Sequence, residues 1–87
     1  MRVGHIHYTS DFRSAYRRLP KRIQDAVNRK DILFRKNTSH PSLDVHKLSG
    51  PLAGLLSFRI NPAYRVLFKF IKDGAIFYDV DTHDIYK

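Results

Sequence analysis

His46–Tyr86 reads HKLSGPLAGLLSFRINPAYRVLFKFIKDGAIFYDVDTHDIY, and its punctuation decides the fold. Three strand-like runs follow one another at 55–61, 64–71 and 75–81, each rich in Phe, Tyr, Val, Ile or Leu. Asn61-Pro62-Ala63 supplies a turn between the first two, and Lys72-Asp73-Gly74 is a strong hairpin signal between the last two. Arg59, Arg65 and Lys69 interrupt the apolar runs. A sheet that only closed a core has no need of cations in its middle. The pattern therefore predicts an antiparallel sheet with one buried face and one charged, working face. Alternation along 64–71 sets Val66, Phe68 and Phe70 against Arg65, Leu67 and Lys69. With the Phe side in the core, Arg65 and Lys69 are expected on the exposed face.

Upstream, residues 3–8 form a short first strand, and Thr9, Ser10 and Asp11 offer N-cap chemistry. Phe12, Ala15, Tyr16 and Leu19 then recur on one face of a short helix. Pro20 ends that helix and suits the first turn of the next. From Lys21 to about Lys36, the residues Ile23, Ala26, Val27, Leu33 and Phe34 make a second apolar stripe, with the stem of Lys30 beside them. Residues 37–44 (NTSHPSLD) are a polar loop, 45–48 are extended, and Ser49-Gly50-Pro51 is a turn. The expected architecture is α+β, in the order β-α-α-β-β-β. A helical hairpin packs on one face of a small, mostly antiparallel sheet, and 1–87 is one domain.

Composition narrows the function. Sixteen Lys and Arg against eight Asp and Glu give a net charge of +8, which points to polyanions and to nucleic acid first. An acidic protein or an anionic membrane surface comes next. The hydrophobic fraction of 43% is enough for a core, which argues against disorder. The chain has no cysteine, which excludes disulfides, iron–sulfur clusters and thiolate zinc sites. No apolar run approaches the roughly 18 residues of a membrane span, and the start MRVGHIHYTSDF lacks the apolar centre of a signal peptide. A cytoplasmic location is the expectation. His5 and His7 share one face of the first strand, but no third and fourth ligands stand out, so no metal is expected.

The element order, with LSGPLAGLLSFRINPAYRVLFKF at 48–70 and a terminal THDIY, resembles the RelE/ParE superfamily of type II toxin–antitoxin toxins. The run S-x-R-I-N-x-x-Y-R-V-x-F looks like the YoeB and HigB branches, and His83 and Tyr86 look like the ends of the YoeB and YafQ groups. The resemblance implies a RelE-like fold and an antitoxin partner carrying an acidic or amphipathic segment. It further implies ribosome-dependent cleavage of mRNA without a metal or any other cofactor. A ParE-like inhibitor of DNA gyrase and a non-catalytic RNA-binding domain are the alternatives.

Metal-free RNA cleavage needs a base for the 2′-hydroxyl, a cation for the crowded phosphorane and an acid for the leaving 5′-oxygen. In YoeB-like members an arginine at this point of the motif contacts the scissile phosphate, which implies that role for Arg65. Arg59 is expected beside it across the turn as a second phosphate ligand; the alternative is that one of the two arginines pairs with an acid such as Asp79. His83 falls where the resemblance puts a catalytic histidine and is the candidate acid. His46 is the candidate base, near the glutamate of YoeB-like and the histidine of YafQ-like members; Lys47 is the alternative, supplying charge. Lys69 adds a cation for RNA, and Tyr86 either stacks on a base or closes the core edge. The sequence also departs from its relatives, because Arg59 and Ala63 hold places where a YafQ-like site has a histidine and an aspartate.

Overall fold

Alternating apolar runs joined by tight turns can bury one face only by pairing and finding a cover, and the chain does both. The computed structural model describes residues 2–82. The elements are β1 (His5–Tyr8), α1 (Ser10–Arg18), α2 (Lys21–Lys36), β2 (His46–Lys47), β3 (Leu56–Arg59), β4 (Tyr64–Ile71) and β5 (Gly74–Thr82). Short 3-10 turns at Pro41–Leu43 and Gly50–Leu52 flank β2. The sheet has five strands in the order β1-β5-β4-β3-β2. Only β1 and β5 run parallel; the other pairs are antiparallel hairpin neighbours. The expected α+β arrangement is thus present, with the extended 45–48 segment contributing a two-residue fifth strand at the edge.

Local chemistry starts and stops the helices. Thr9 Oγ1 accepts the Phe12 N–H at 3.0 Å, the N-cap expected from sequence, and donates to the Tyr78 carbonyl at 2.9 Å. One hydroxyl therefore caps α1 and ties it to β5. The Pro20 carbonyl accepts from Ile23 and Gln24, so α2 begins with no side-chain cap. Arg17 and Arg18 end α1, and Arg35 and Lys36 end α2, where cations suit the helix dipole.

The core forms where the helical stripe meets the aromatic face of the sheet. Phe34 of α2 is fully buried, with ring centroids 5.0 Å from Phe58, 5.0 Å from Phe68 and 5.4 Å from Phe77. Ile23, Val27, Val66 and Val80 fill the remaining space. Aromatic pairs at such distances contribute about 0.5–1.5 kcal/mol each beyond their buried area. Between Leu67 and Phe68 the β4–β5 register slips by one residue, so Leu67 pairs with Asp79 while Phe68 pairs with Phe77.

The second hairpin forms for a reason different from the one its sequence suggests. Asp73, at φ 59°, takes the left-handed position of the turn. Gly74 instead lies at the paired start of β5, opposite both Ile71 and His5. A Cβ there would stand 2.2 Å from the His5 carbonyl oxygen, so glycine lets β1 dock alongside. Gly74→Ala is accordingly expected to expel β1, seen as lost hydrogen-exchange protection at Ile6–Tyr8 and a lower thermal midpoint. Asp73→Gly, which relaxes the left-handed residue, should leave both nearly unchanged.

Candidate active site

Alternation places Ser57 and Arg59 of β3 and Arg65, Leu67 and Lys69 of β4 on the sheet face away from the aromatic core. The antiparallel register sets Arg59 directly opposite Arg65, and His46 of β2 directly opposite Ser57. His46, Arg59 and Arg65 therefore share one face across three adjacent strands. The turn between the arginines is built by Asn61, whose Oδ1 accepts the N–H groups of Ala63 at 2.8 Å and Tyr64 at 2.9 Å.

Arg65 corrects the expectation of an exposed working face, because it is only 5% exposed. Its Nε donates to Ser57 Oγ at 2.9 Å, and its terminal nitrogens reach the Asp44 carbonyl, Asp44 Oδ2 at 3.4 Å and the Ser57 carbonyl at 3.4 Å. The cause is the loop before β2. Leu43 is fully buried, and Asp44, at φ 46°, turns the chain over the end of the sheet. Arg65 does have an acidic partner, but it is Asp44 rather than Asp79.

Arg59 is exposed and makes no hydrogen bond or ion pair among the described residues. With Arg65, Asp44, Asn61 and Pro62 it lines a cavity of about 160 Å³. Burial and the charge of Arg59 together lower the pKa of Lys30, whose ammonium donates to the Ser42 carbonyl at 3.0 Å. His46 is exposed, and its Nε2 lies 3.0 Å from Asp44 Oδ1. That hydrogen bond, helped by Arg65, holds the Asp44 carboxyl below the usual carboxylate range.

The other sequence-selected groups lie apart. Lys47 pairs with Leu56 and so faces the opposite side from His46. Lys69 is exposed on the same face as Arg65, but four residues further along β4, about 13 Å by strand rise. His83 and Tyr86 lie outside the described residues. His5 and His7 are exposed on β1, and no group of three or more His, Asp or Glu is placed to hold a metal among the described residues. A larger cavity of about 340 Å³, walled by Tyr8, Phe12, Tyr16 and Val27, holds none of these groups. Sequence reading missed Asp44 and Ser57. The S-x-R spacing of Ser57 and Arg59 was an available signal, since a separation of two shares a face in extended chain and puts Ser57 on the arginine face; Asp44 reaches His46 through a left-handed turn that spacing does not announce.

No family model matches the sequence, and no curated protein does. Solved structures do. YafQ from E. coli strain BL21(DE3) superposes with a TM-score of 0.78 at 18% identity, over 98% of this chain and 97% of that one. The toxin–antitoxin complex RelBE2 of Mycobacterium tuberculosis gives 0.71 at 25% identity, over 95% and 94%. The YoeB/ParE toxin of Agrobacterium tumefaciens gives 0.72 at 17% identity, over 95% and 99%. No helix among the described residues is long and apolar enough to cross a membrane.

The two arginines should separate in stability. Arg65→Ala strands the buried Ser57 hydroxyl and should cost about 1–3 kcal/mol in urea unfolding, whereas Arg59→Ala should stay within about 0.5 kcal/mol. Asp79 supplies a pH test, because burial first, and the nearby Asp81 and Asp11 charges after it, raise its pKa. Its charged form therefore costs stability above the folded pKa, and the cost disappears as pH falls through that value. Asp79→Asn should raise the thermal midpoint at pH 7, by an amount that shrinks on acidification.

Proposed function

We propose that this chain, whose fold is that of the RelE/ParE-like toxins in their YoeB/YafQ-like form, is the toxin of a type II toxin–antitoxin pair and cleaves mRNA on the ribosome. The observation that carries the reading is the facing pair Arg59 and Arg65, with His46 on the same side of the sheet. The Asp44 carboxylate offsets Arg65, but Arg59 across from it makes no hydrogen bond or ion pair among the described residues, and a phosphodiester is an anion that its guanidinium can hold. The net charge of +8 suits a protein that docks against ribosomal RNA.

In this reading His46 removes the proton from the 2′-hydroxyl, and the oxygen attacks the adjacent phosphorus. Arg59 braces the phosphorane from the open side of the cavity, and the buried charge of Arg65 supports it from below. His83 returns a proton to the departing 5′-oxygen. The products are a 2′,3′-cyclic phosphate, which can open to a 3′-phosphate, and a 5′-hydroxyl, with no metal in the balance. Lys47, Lys69 and Tyr86 serve the flanking RNA. Residues 1–87 act as one domain in the cytoplasm, restrained by an antitoxin with an acidic or amphipathic segment. A toxin–antitoxin complex among the solved neighbours supports such a partner.

Primer extension on a reporter mRNA after induction tests the reading. Discrete new 5′ ends at ribosome-occupied codons are expected, reduced at least about 100-fold by Arg59→Ala, the scale seen when one preorganised donor to a transition-state anion is removed. An intact message beside arrested growth would exclude mRNA cleavage and direct attention to gyrase.

A further inference from the structure

The side chain of His46 is 59% exposed, so packing does not hold its ring. A free imidazole in that setting rotates and populates both neutral tautomers. Its one hydrogen bond is to Asp44, with Nε2 3.0 Å from Oδ1. An ionised carboxylate only accepts, so the proton between them belongs to Nε2, and Nδ1 keeps the lone pair.

Asp44 is itself held in place. It occupies the left-handed region at φ 46°, a conformation that Asp and Asn tolerate better than most residues. Its carbonyl accepts from one terminal nitrogen of Arg65, and its Oδ2 accepts from the other at 3.4 Å. Arg65 is anchored in turn by the buried Ser57. The chain of contacts therefore runs from the sheet interior, through Arg65 and Asp44, to the exposed imidazole. The His46 hydrogen bond, with help from Arg65, lowers the pKa of this carboxyl, so it is ionised at neutral pH.

We propose that Asp44 is the positioning residue of this site: it fixes His46 as the Nε2–H tautomer and presents Nδ1 as the base. Its catalytic consequence rests on the ribonuclease reading; its geometry does not. When Nδ1 takes the 2′-hydroxyl proton, the ring becomes an imidazolium facing the Asp44 carboxylate, which stabilises the charge as it forms. Asp44 acts through the His46 ring and takes no part in the bond changes.

Long-range proton–nitrogen spectra of the His46 ring, assigned with His46→Gln and recorded where the ring is neutral, test the idea directly. Wild type should show a protonated Nε2 and a bare Nδ1. In Asp44→Ala the two nitrogens should move toward the averaged values of a free imidazole. Asp44→Asn should fall between, because an amide can donate or accept. Both variants keep the main-chain carbonyl that Arg65 grips; Asp44→Asn also suits the left-handed backbone at 44, so its sheet amide spectrum should be unchanged, and it controls for any shift that strain causes in Asp44→Ala. In single-turnover cleavage, kcat should drop at least about 10-fold in Asp44→Asn with little change in KM, the pattern expected when a base is in the wrong tautomer. Averaged nitrogens in wild type, or an unaltered pattern in Asp44→Ala, would overturn the proposal. So would a tautomer change that leaves cleavage intact. A fixed tautomer that Asp44→Ala releases, in a wild-type protein that cuts no message, would sustain the Asp44–His46 pair and remove the ribonuclease reading instead.

Discussion

A guanidinium buried in the middle strand of a five-stranded sheet must have its donors met, and the way Arg65 meets them organises everything around it. Only 5% of it is exposed, so the donors turn to Ser57 on the neighbouring strand and to Asp44 on the loop before β2. This ties the loop down over the end of the sheet, with Leu43 inserted beneath it. A loop fixed in that way delivers Asp44, and through Asp44 the His46 ring, to the face that also carries Arg59. A lysine at position 65 would bring the charge but not the fork that reaches both partners.

The opposite face does a different job with the same strands. Val66, Phe68 and Phe58 meet Phe34 of α2, and the resulting aromatic cluster makes β3 and β4 a firm base. Precise placement of polar groups needs such a base, because a site carried on a soft element loses geometry faster than it loses stability. β4 therefore has a dry aromatic side that fixes the backbone and a polar side whose donors are directed by it.

The two facing arginines share a residue type, a face and a register position, yet differ in what their charges can do. Arg65 is largely spoken for by Asp44 and Ser57, while Arg59 opens toward the cavity and, with Lys30 nearby, keeps it electropositive. Asp79 and Asp81 on β5 moderate the field on the far side of β4. Asp44 offsets part of the positive charge at the cavity, and Asp81 stands opposite Arg65 on β5.

Much of this was legible in the residues. The turn signals and alternation placed β3, β4 and β5 close to their true bounds, the helical spacing placed α1 and α2, and Thr9-Ser10-Asp11 offered the cap that Thr9 provides. These features are local, set by side-chain period and backbone chemistry within a few residues. The proximity of Arg59 and Arg65 was also legible, because a short turn in an antiparallel pair leaves few registers. What escaped the sequence was long-range. The dipeptide Asp73-Gly74 read as a turn, but Gly74 answers to His5, a contact across 69 positions that only the parallel docking of β1 creates. The burial of Arg65 escaped as well, since alternation tells which side a residue faces but not whether a loop 21 positions away folds over it. The sequence alone determined the elements, the order of the hairpins and the cationic face. The tertiary structure decided which cation was covered and which stayed open, because burial of a polar group is settled only when a distant segment supplies its hydrogen bonds.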